Sequence, residues 1–476
     1  MPTSSTQAEP VPAQWVPAQW VQVQLVQLQL AGATVLVCGA GLAGRSAVRA
    51  LLARDATVLL SDRSEPADLE ALGVRFVGAP DTLPPGVDLV VTSPGFRPDH
   101  PLLMDAIARG VDVLGEVEFA WRLRTPESAP WLAITGTNGK TTTVRMLEAM
   151  LQAAGLRALA VGNVGVSVID AVDAADPYDV LAVELSSFQL HWSSTITPAA
   201  GALLNIAPDH LDWHGSMPAY VASKAKVWAG PVAIGNADDA VVADLLSHAL
   251  SPTHVAVTLR EPGRGQLGVR AGLVVDRAFA EDLPLFAAAD VWPPGSHNVA
   301  NALAAAALAR AYGLGAQAIA DGLRAFVPDP HRNQFLVSVG GVDNVDDSKA
   351  TNPHAARASL LAYARVVWIA GGQLKDAPVD DLVAEIAPRL AGVVLLGQDR
   401  AQIASALRRH APDVPMIDVV THDDGAMTEV VRAAAGLARP GDVVLLAPAA
   451  ASYDMFTGYA ARGLAFEAAA RALGAS

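Results

Sequence analysis

A lysine and a threonine at the mouth of a glycine turn are equipped to hold a triphosphate, and residues 132–143, "LAITGTNGKTTT", have that arrangement. The common Gly-x4-Gly-Lys-Ser/Thr loop would need glycine at position 134, where the chain has Ile134. What the chemistry needs is an apolar strand, a turn whose N–H groups face the phosphates, a lysine, and a hydroxyl for Mg2+ at a helix start. Trp131 to Ile134 supply the strand and Gly136 and Gly139 the turn, while Lys140 meets the β and γ oxygens and Thr141 is the metal hydroxyl. Val144, Leu147, Met150 and Leu151 then give a helix with one apolar face, ending near Gly155. Downstream, "VELSSFQL" puts Glu184 at a strand end, and "NIAPDHLDWHGS" gathers Asp209, His210, Asp212 and His214. A carboxylate and a histidine near such a loop can hold Mg2+, although Glu184 also reads as a buried salt-bridge partner and each histidine as a surface residue. Lys224, in "YVASKAKV", reads from its residues alone as facing solvent or a phosphate.

A second glycine loop, "GAGLAG", places Gly39, Gly41 and Gly44 between a strand and a helix, with Asp62 after the next strand. What it selects is a diphosphate at a helix N-terminus, which NAD and a UDP-sugar supply equally well. A dehydrogenase is therefore one reading, and tight helix–strand packing without a ligand is another.

The elements that must position these residues alternate short apolar strands with helical stretches, the pattern of α/β domains with parallel sheets. "TVLVCG", "TVLLSD" and "DLVVTSPG" form a first group, "WLAITG", "YDVLAVELSS" and "AGALLNIAPDH" a second, and "VVWIAGG", "GVVLLGQ" and "DVVLLAPAAAS" a third. At roughly 150 residues per domain, the 476 residues predict about three domains, with boundaries near 120 and 328. The opening "VPAQWVPAQWVQVQLVQLQL" reads as a flexible leader over residues 1–30 with a possible final strand.

A net charge of -15 argues against nucleic acid or an anionic membrane as the main partner. With Cys38 the single cysteine, neither an internal disulfide nor a thiolate metal cluster can form. The apolar runs fall short of the roughly 18 residues a membrane span needs, and the first residues lack a signal-peptide pattern. A monomeric protein in a reducing cytoplasm is expected, without membrane insertion.

"ITGTNGKTT", "ELSSFQL", "PDHLDWHGS", "HNVANALAA", "PHR", "DDSKATN" and "LLAPAAASYDMF" follow one another in an order that resembles the Mur ligases of peptidoglycan synthesis. "DSKATN" is the most selective piece and points to the members that join D-glutamate to UDP-N-acetylmuramoyl-L-alanine. The resemblance implies a Rossmann-like domain for the UDP end over residues 31–120, a central P-loop-type ATPase domain with a mostly parallel sheet over 121–328, and a Rossmann-like C-terminal domain over 329–476. It gives ATP the run Gly136, Thr137, Asn138, Gly139, Lys140, Thr141 and Thr142, together with Asn298, Asn301, Arg332 and Asp347. Leu42, Ala43, Asp62, Arg63, Ser93 and Gly95 would surround the uridine diphosphate, and Asn163 and Gln189 the muramoyl-alanyl portion. Lys349, Thr351, Ser452 and Tyr459 resemble the D-glutamate pocket, and Lys375 a cation near the reacting atoms. Two Mg2+ ions are implied, at Thr141, Glu184, His210 and a Lys224 carbamylated by CO2, with Lys140, Lys224, His210 and Lys375 as the catalytic set. The chain departs from the family pattern at Trp213, Gln334, Asp346 and Tyr459, commonly arginine, glutamate, asparagine and phenylalanine. The alternatives are a nicotinamide-dependent dehydrogenase, which leaves the second phosphate loop without a use, and a non-catalytic nucleotide-binding homologue.

Overall fold

Short runs rich in valine, leucine and isoleucine become the strands of three sheets in the computed structural model, which describes residues 28–375, 377–420 and 425–475. The first sheet contains β1 (Thr34–Cys38), β2 (Thr57–Ser61), β3 (Arg75–Phe76), β4 (Leu89–Thr92) and β5 (Asp112–Gly115). All are parallel, in the order β3-β2-β1-β4-β5. The order reverses between β1 and β4, which is where open α/β sheets leave a crevice for ligands.

The second sheet runs β6 (Trp131–Thr135), β7 (Ala158–Gly162), β8 (Val180–Glu184), β9 (Ala200–Leu203), β10 (Val232–Asn236), β11 (Thr253–Val257), β12 (Gln266–Arg270), β13 (Leu273–Asp276) and β14 (Leu283–Ala287). Its order is β14-β13-β12-β11-β10-β9-β6-β8-β7, parallel from β7 to β12 and antiparallel over the last two pairings. β6 and β8 are buried along their whole length, as strands covered on both faces must be. Pairing sets Ile134 beside Glu184 and Thr135 beside Leu203, so the loops leaving β6, β8 and β9 emerge together at one sheet edge.

The third sheet has β15 (Gln334–Val339), β16 (Val342–Asp346), β17 (Val366–Gly371), β18 (Leu390–Leu396), β19 (Met416–Asp418) and β20 (Val443–Leu446), in the order β15-β16-β20-β17-β18-β19. Only the β15–β16 pairing is antiparallel.

The chain divides into two compact units, one extending to Asp290 and including Ala300–Phe326, the other formed by Val291–Val299 and Val327–Ser476. The first and second sheets share the first unit. Ser46 and Arg49 bond Asp170, Arg54 bonds Asp173, and the buried Glu118 accepts from the Ser194 and Thr195 amides, fastening the two sheets together. Most of the expected leader lies at residues 1–27, outside those described; Leu30 is already buried against the first sheet. Among the described residues no helix is long and apolar enough to cross a membrane.

Candidate active site

β6 ends at Thr135, and the helix Lys140–Ala153 begins four residues after Gly136, so the turn between them is the expected phosphate loop. Gly139 caps that helix at φ 83°, and a Cβ there would lie 2.3 Å from Asn301 Oδ1. Both facts require glycine. Asn205, just past β9, clasps the loop: its carbonyl accepts from the Thr137 amide at 3.0 Å, and its side chain exchanges two hydrogen bonds with the Asn138 backbone. Thr137 Oγ1 in turn bonds the Tyr220 hydroxyl at 2.8 Å and both backbone groups of Ala207. Lys140 Nζ donates to the Gly136 and Thr137 carbonyls, and Thr141, the first-turn hydroxyl, is nearly buried. The helix beyond has the expected apolar face, with Val144, Leu147, Met150 and Leu151 fully buried.

Glu184, the last residue of β8, is 1 % exposed. Its Oε1 accepts from Asn163 Nδ2 at 2.8 Å, while Oε2 finds no partner among the described residues. A buried, half-satisfied carboxylate beside a phosphate loop is an oxygen donor suited to a hard cation. Lys224 lies in the last turn of the helix Met217–Ala225, 2 % exposed, and donates to Gly136 O at 2.7 Å with its ammonium over the Tyr220 ring. Burial and the nearby Lys140 charge pull its pKa well below the ordinary lysine value, against the Asp209 and Glu184 carboxylates. His210, in the left-handed region at φ 53°, packs against Phe188 and is lowered mainly by burial, with Asp209 opposing. His214 bonds the Ser187 hydroxyl and is pushed down to about 4 by burial and its cationic neighbours. Among the described residues, no three His, Cys, Asp or Glu side chains converge as a metal cluster. The oxygen donors that this edge offers a cation are the unpartnered Glu184 Oε2 and the Thr141 hydroxyl.

In the first sheet, Gly39 sits at the crevice between β1 and β4, and a Cβ there would lie 2.5 Å from Ser93 Oγ. The Asp62 carboxylate accepts from the Ala40 and Arg63 amides, each at 2.6 Å, and so ties the glycine loop to the end of β2. Leu42, Arg63 and Gly95 are exposed around this loop, with Ala43 and Ser93 half-buried. Gln189 is 3 % exposed and closes a capping box with Ser186, so its side chain serves first to start its own helix. Asn301 lies against Gly139, whereas Asn298 turns its amide to the Pro293 carbonyl at 3.0 Å.

The second unit has its own cluster where β16 and β20 end. Asp347 is buried, accepts from the Asn333 amide and the Ser359 hydroxyl, and is pushed up to about 6 by burial, with Arg332 opposing. Lys349 stands 3.8 Å over the Tyr459 ring. Ser452 is buried, Thr351 half-buried and Lys375 exposed, the last at φ 53°.

Three family models cover this framework: a MurD-like N-terminal domain over residues 33–115, a Mur ligase middle domain over 134–309, and a Mur ligase glutamate ligase domain over 331–450. Over 93 % of its length the chain is 56 % identical to the UDP-N-acetylmuramoylalanine–D-glutamate ligase of Thermobifida fusca, spanning 99 % of that protein. The chain belongs to the Mur ligase family. The same-named protein of Streptomyces avermitilis is 54 % identical, again over 93 % of this chain and 99 % of its own, and that of Mycobacterium avium 50 %, over 93 % and 97 %. Among solved structures, the UDP-N-acetylmuramate-alanine ligase MurC of Thermotoga maritima superposes with a TM-score of 0.58 at 19 % identity, covering 92 % of this chain and 99 % of its own. A pseudomurein peptide ligase of Methanothermus fervidus gives 0.55 at 18 %, over 87 % and 96 %. At those identities the fold alone is shared.

This Mur ligase also uses residues that motif reading passed over. Asn205 and Tyr220 brace the phosphate loop, and the signal for Asn205 was an amide directly after an apolar strand. Trp213, named above as a departure from the family pattern, is buried with its ring 4.5 Å from that of Phe188, an apolar contact. Lys226 faces away from Lys224, as a residue two positions on should, yet it is no bystander: its ammonium donates to the Leu190, His191 and Ser193 carbonyls at the end of the helix Ser187–His191. Lys226→Ala is therefore expected to lower stability by about 1–2 kcal/mol, the loss of a charge-assisted helix cap, while kcat stays near the parent's. Thermal unfolding and turnover of one preparation check this, and a kcat lost together with an unchanged Tm would contradict it.

Proposed function

We propose that this Mur ligase joins D-glutamate to UDP-N-acetylmuramoyl-L-alanine, converting ATP to ADP and phosphate, as a monomer in the cytoplasm. The observation that carries this reading is a phosphate loop with Lys140 and Glu184 at one sheet edge, in a chain at least half identical to D-glutamate ligases over nearly its whole length. Residues 31–120 would bind the UDP end, 121–328 ATP, and 329–476 D-glutamate. The dehydrogenase alternative falls with the family membership, since a uridine diphosphate accounts for the first glycine loop.

A carboxylate is a poor electrophile. The alanyl carboxylate oxygen attacks the γ-phosphorus of ATP, the bond to the β-phosphate oxygen breaks, and ADP departs from an acyl phosphate. The D-glutamate amine then attacks the acyl carbon, loses a proton, and phosphate leaves from the tetrahedral adduct. Lys140 stays with the migrating phosphoryl charge, and the helix that begins there turns the positive end of its dipole to the phosphates. Thr141 and Glu184 would hold one Mg2+, and His210 with a carbamylated Lys224 a second; such ions would neutralise phosphate charge. The carbamate forms when the neutral Lys224 amine adds to CO2, making an N–C bond and releasing a proton. Lys349, Thr351, Ser452 and Tyr459 would receive D-glutamate, with Lys375 as a cation near the reacting groups. Arg332, Asp347, Asn298 and Asn301 would contact the nucleotide.

Phosphate release measured across a panel of UDP-muramoyl substrates and amino acids tests the reading. Release is expected only with ATP, UDP-N-acetylmuramoyl-L-alanine and D-glutamate together. Turnover with UDP-N-acetylmuramate and L-alanine instead would assign the chain a different ligase reaction.

A further inference from the structure

Two non-glycine residues of the segment His331–Gln334 stand in the left-handed region, His331 at φ 64° and Asn333 at φ 50°. Such backbone persists only where its surroundings over-determine it. Here three bonds tie the segment to the end of β16 and the loop after it: His331 Nδ1 to Asp346 Oδ2 at 2.6 Å, the Asn333 amide to Asp347 Oδ1, and the Lys349 amide to the His331 carbonyl. Asp346 is fully buried, and its other oxygen accepts from the Ser348 amide at 2.8 Å. The C-terminal helix Tyr459–Ala475 lies directly on the pair, so that a Cβ on Gly463 would come within 2.2 Å of His331 Nδ1. One turn of the same helix contributes Arg462, whose guanidinium bonds Ser348 Oγ, Ser348 O and Ala450 O. The groups facing the imidazole are thus Asp346, the Glu467 carboxylate and the Tyr459 ring, with Arg462 acting on Asp346.

We propose that Asp346 is a positioning residue for the nucleotide: through His331 Nδ1 it fixes the turn that presents Arg332 beside Asp347. This rests on the ligase reading for the roles of Arg332 and Asp347. The carboxylate accepts from Nδ1–H whether or not the ring is charged, and it still has an oxygen for the Ser348 amide. An asparagine cannot do both. If its oxygen keeps the Ser348 amide, its NH2 meets His331 and forces Nδ1 to be the acceptor, which excludes the charged ring and selects the Nε2–H tautomer.

Asp346→Asn is therefore expected to raise the KM for ATP and the Kd for ADP about tenfold, equivalent to ~1.4 kcal/mol, with kcat and the KM for the UDP substrate within about twofold. Nitrogen-15 NMR should find His331 with a proton on Nδ1 in the parent, charged above the ordinary histidine value of ~6.5, and in the Nε2–H form in the variant. Unchanged ADP affinity, or an equal loss in kcat and in UDP-substrate binding, would overturn the proposal. Should the variant not fold, the parent decides alone, because a His331 that titrates at or below ~6.5 without an Nδ1 proton overturns it too. ADP binding and NMR need no second substrate, so these failures remain distinct from failure of the ligase reading, which shows as absent phosphate release in the parent.

Discussion

Lys140→Ala is expected to abolish ligation, with a loss of at least about a thousandfold in kcat, while the UDP substrate still binds within about threefold of its parental affinity. The lysine caps the mouth of the phosphate loop, where Nζ rests on the Gly136 and Thr137 carbonyls and from which it can turn to the transferring charge. The glycine loop around Gly39 and Asp62, proposed for the UDP end, belongs to a different sheet and has its own bonds. Single-turnover phosphate release and calorimetric titration with the UDP substrate separate the two effects. Full turnover in the variant would remove the loop from the chemistry, and a parallel loss of UDP-substrate binding would show that the change spread beyond its site.

Lys224 should give a sharper pattern. Lys224→Ala is expected to be slowed by roughly a hundredfold or more and partly restored by formate or acetate, whereas Lys224→Arg is inactive and not restored. The reason is sign. A buried ammonium beside the phosphate loop repels Mg2+, and a carbamate in the same volume attracts it. The side chain is 2 % exposed, and burial with the Lys140 charge favours the neutral amine that CO2 requires. Arginine keeps its charge and cannot be carbamylated. Parental activity from Lys224→Arg in CO2-free buffer would make Lys224 an ordinary cation.

The sheets were legible where the chain writes continuous apolar runs. β1, β6, β8 and β17, buried on both faces, carry an unbroken signal, and the turn from Gly136 to Thr141 carries its chemistry in residue types. β3, two residues long, and β16, which reads "VDNVD", carry almost none; their place is set by neighbours rather than by their own composition. The same limit applies to side chains. Gln189 was legible as a polar residue in a motif, but its capping bond with Ser186 is a property of the folded turn, and so is the clasp of Asn205. Asp346 was visible only as a departure from a pattern; that it meets His331 depends on β16 and the segment before β15 ending at one place.

The Asn205 clasp also bears on entropy. Because the Thr137 and Asn138 amides are already bonded to Asn205, the first half of the loop is ordered before any anion arrives. Fixing a residue's backbone costs roughly 1–2 kcal/mol, and here that cost falls on folding instead of on nucleotide capture.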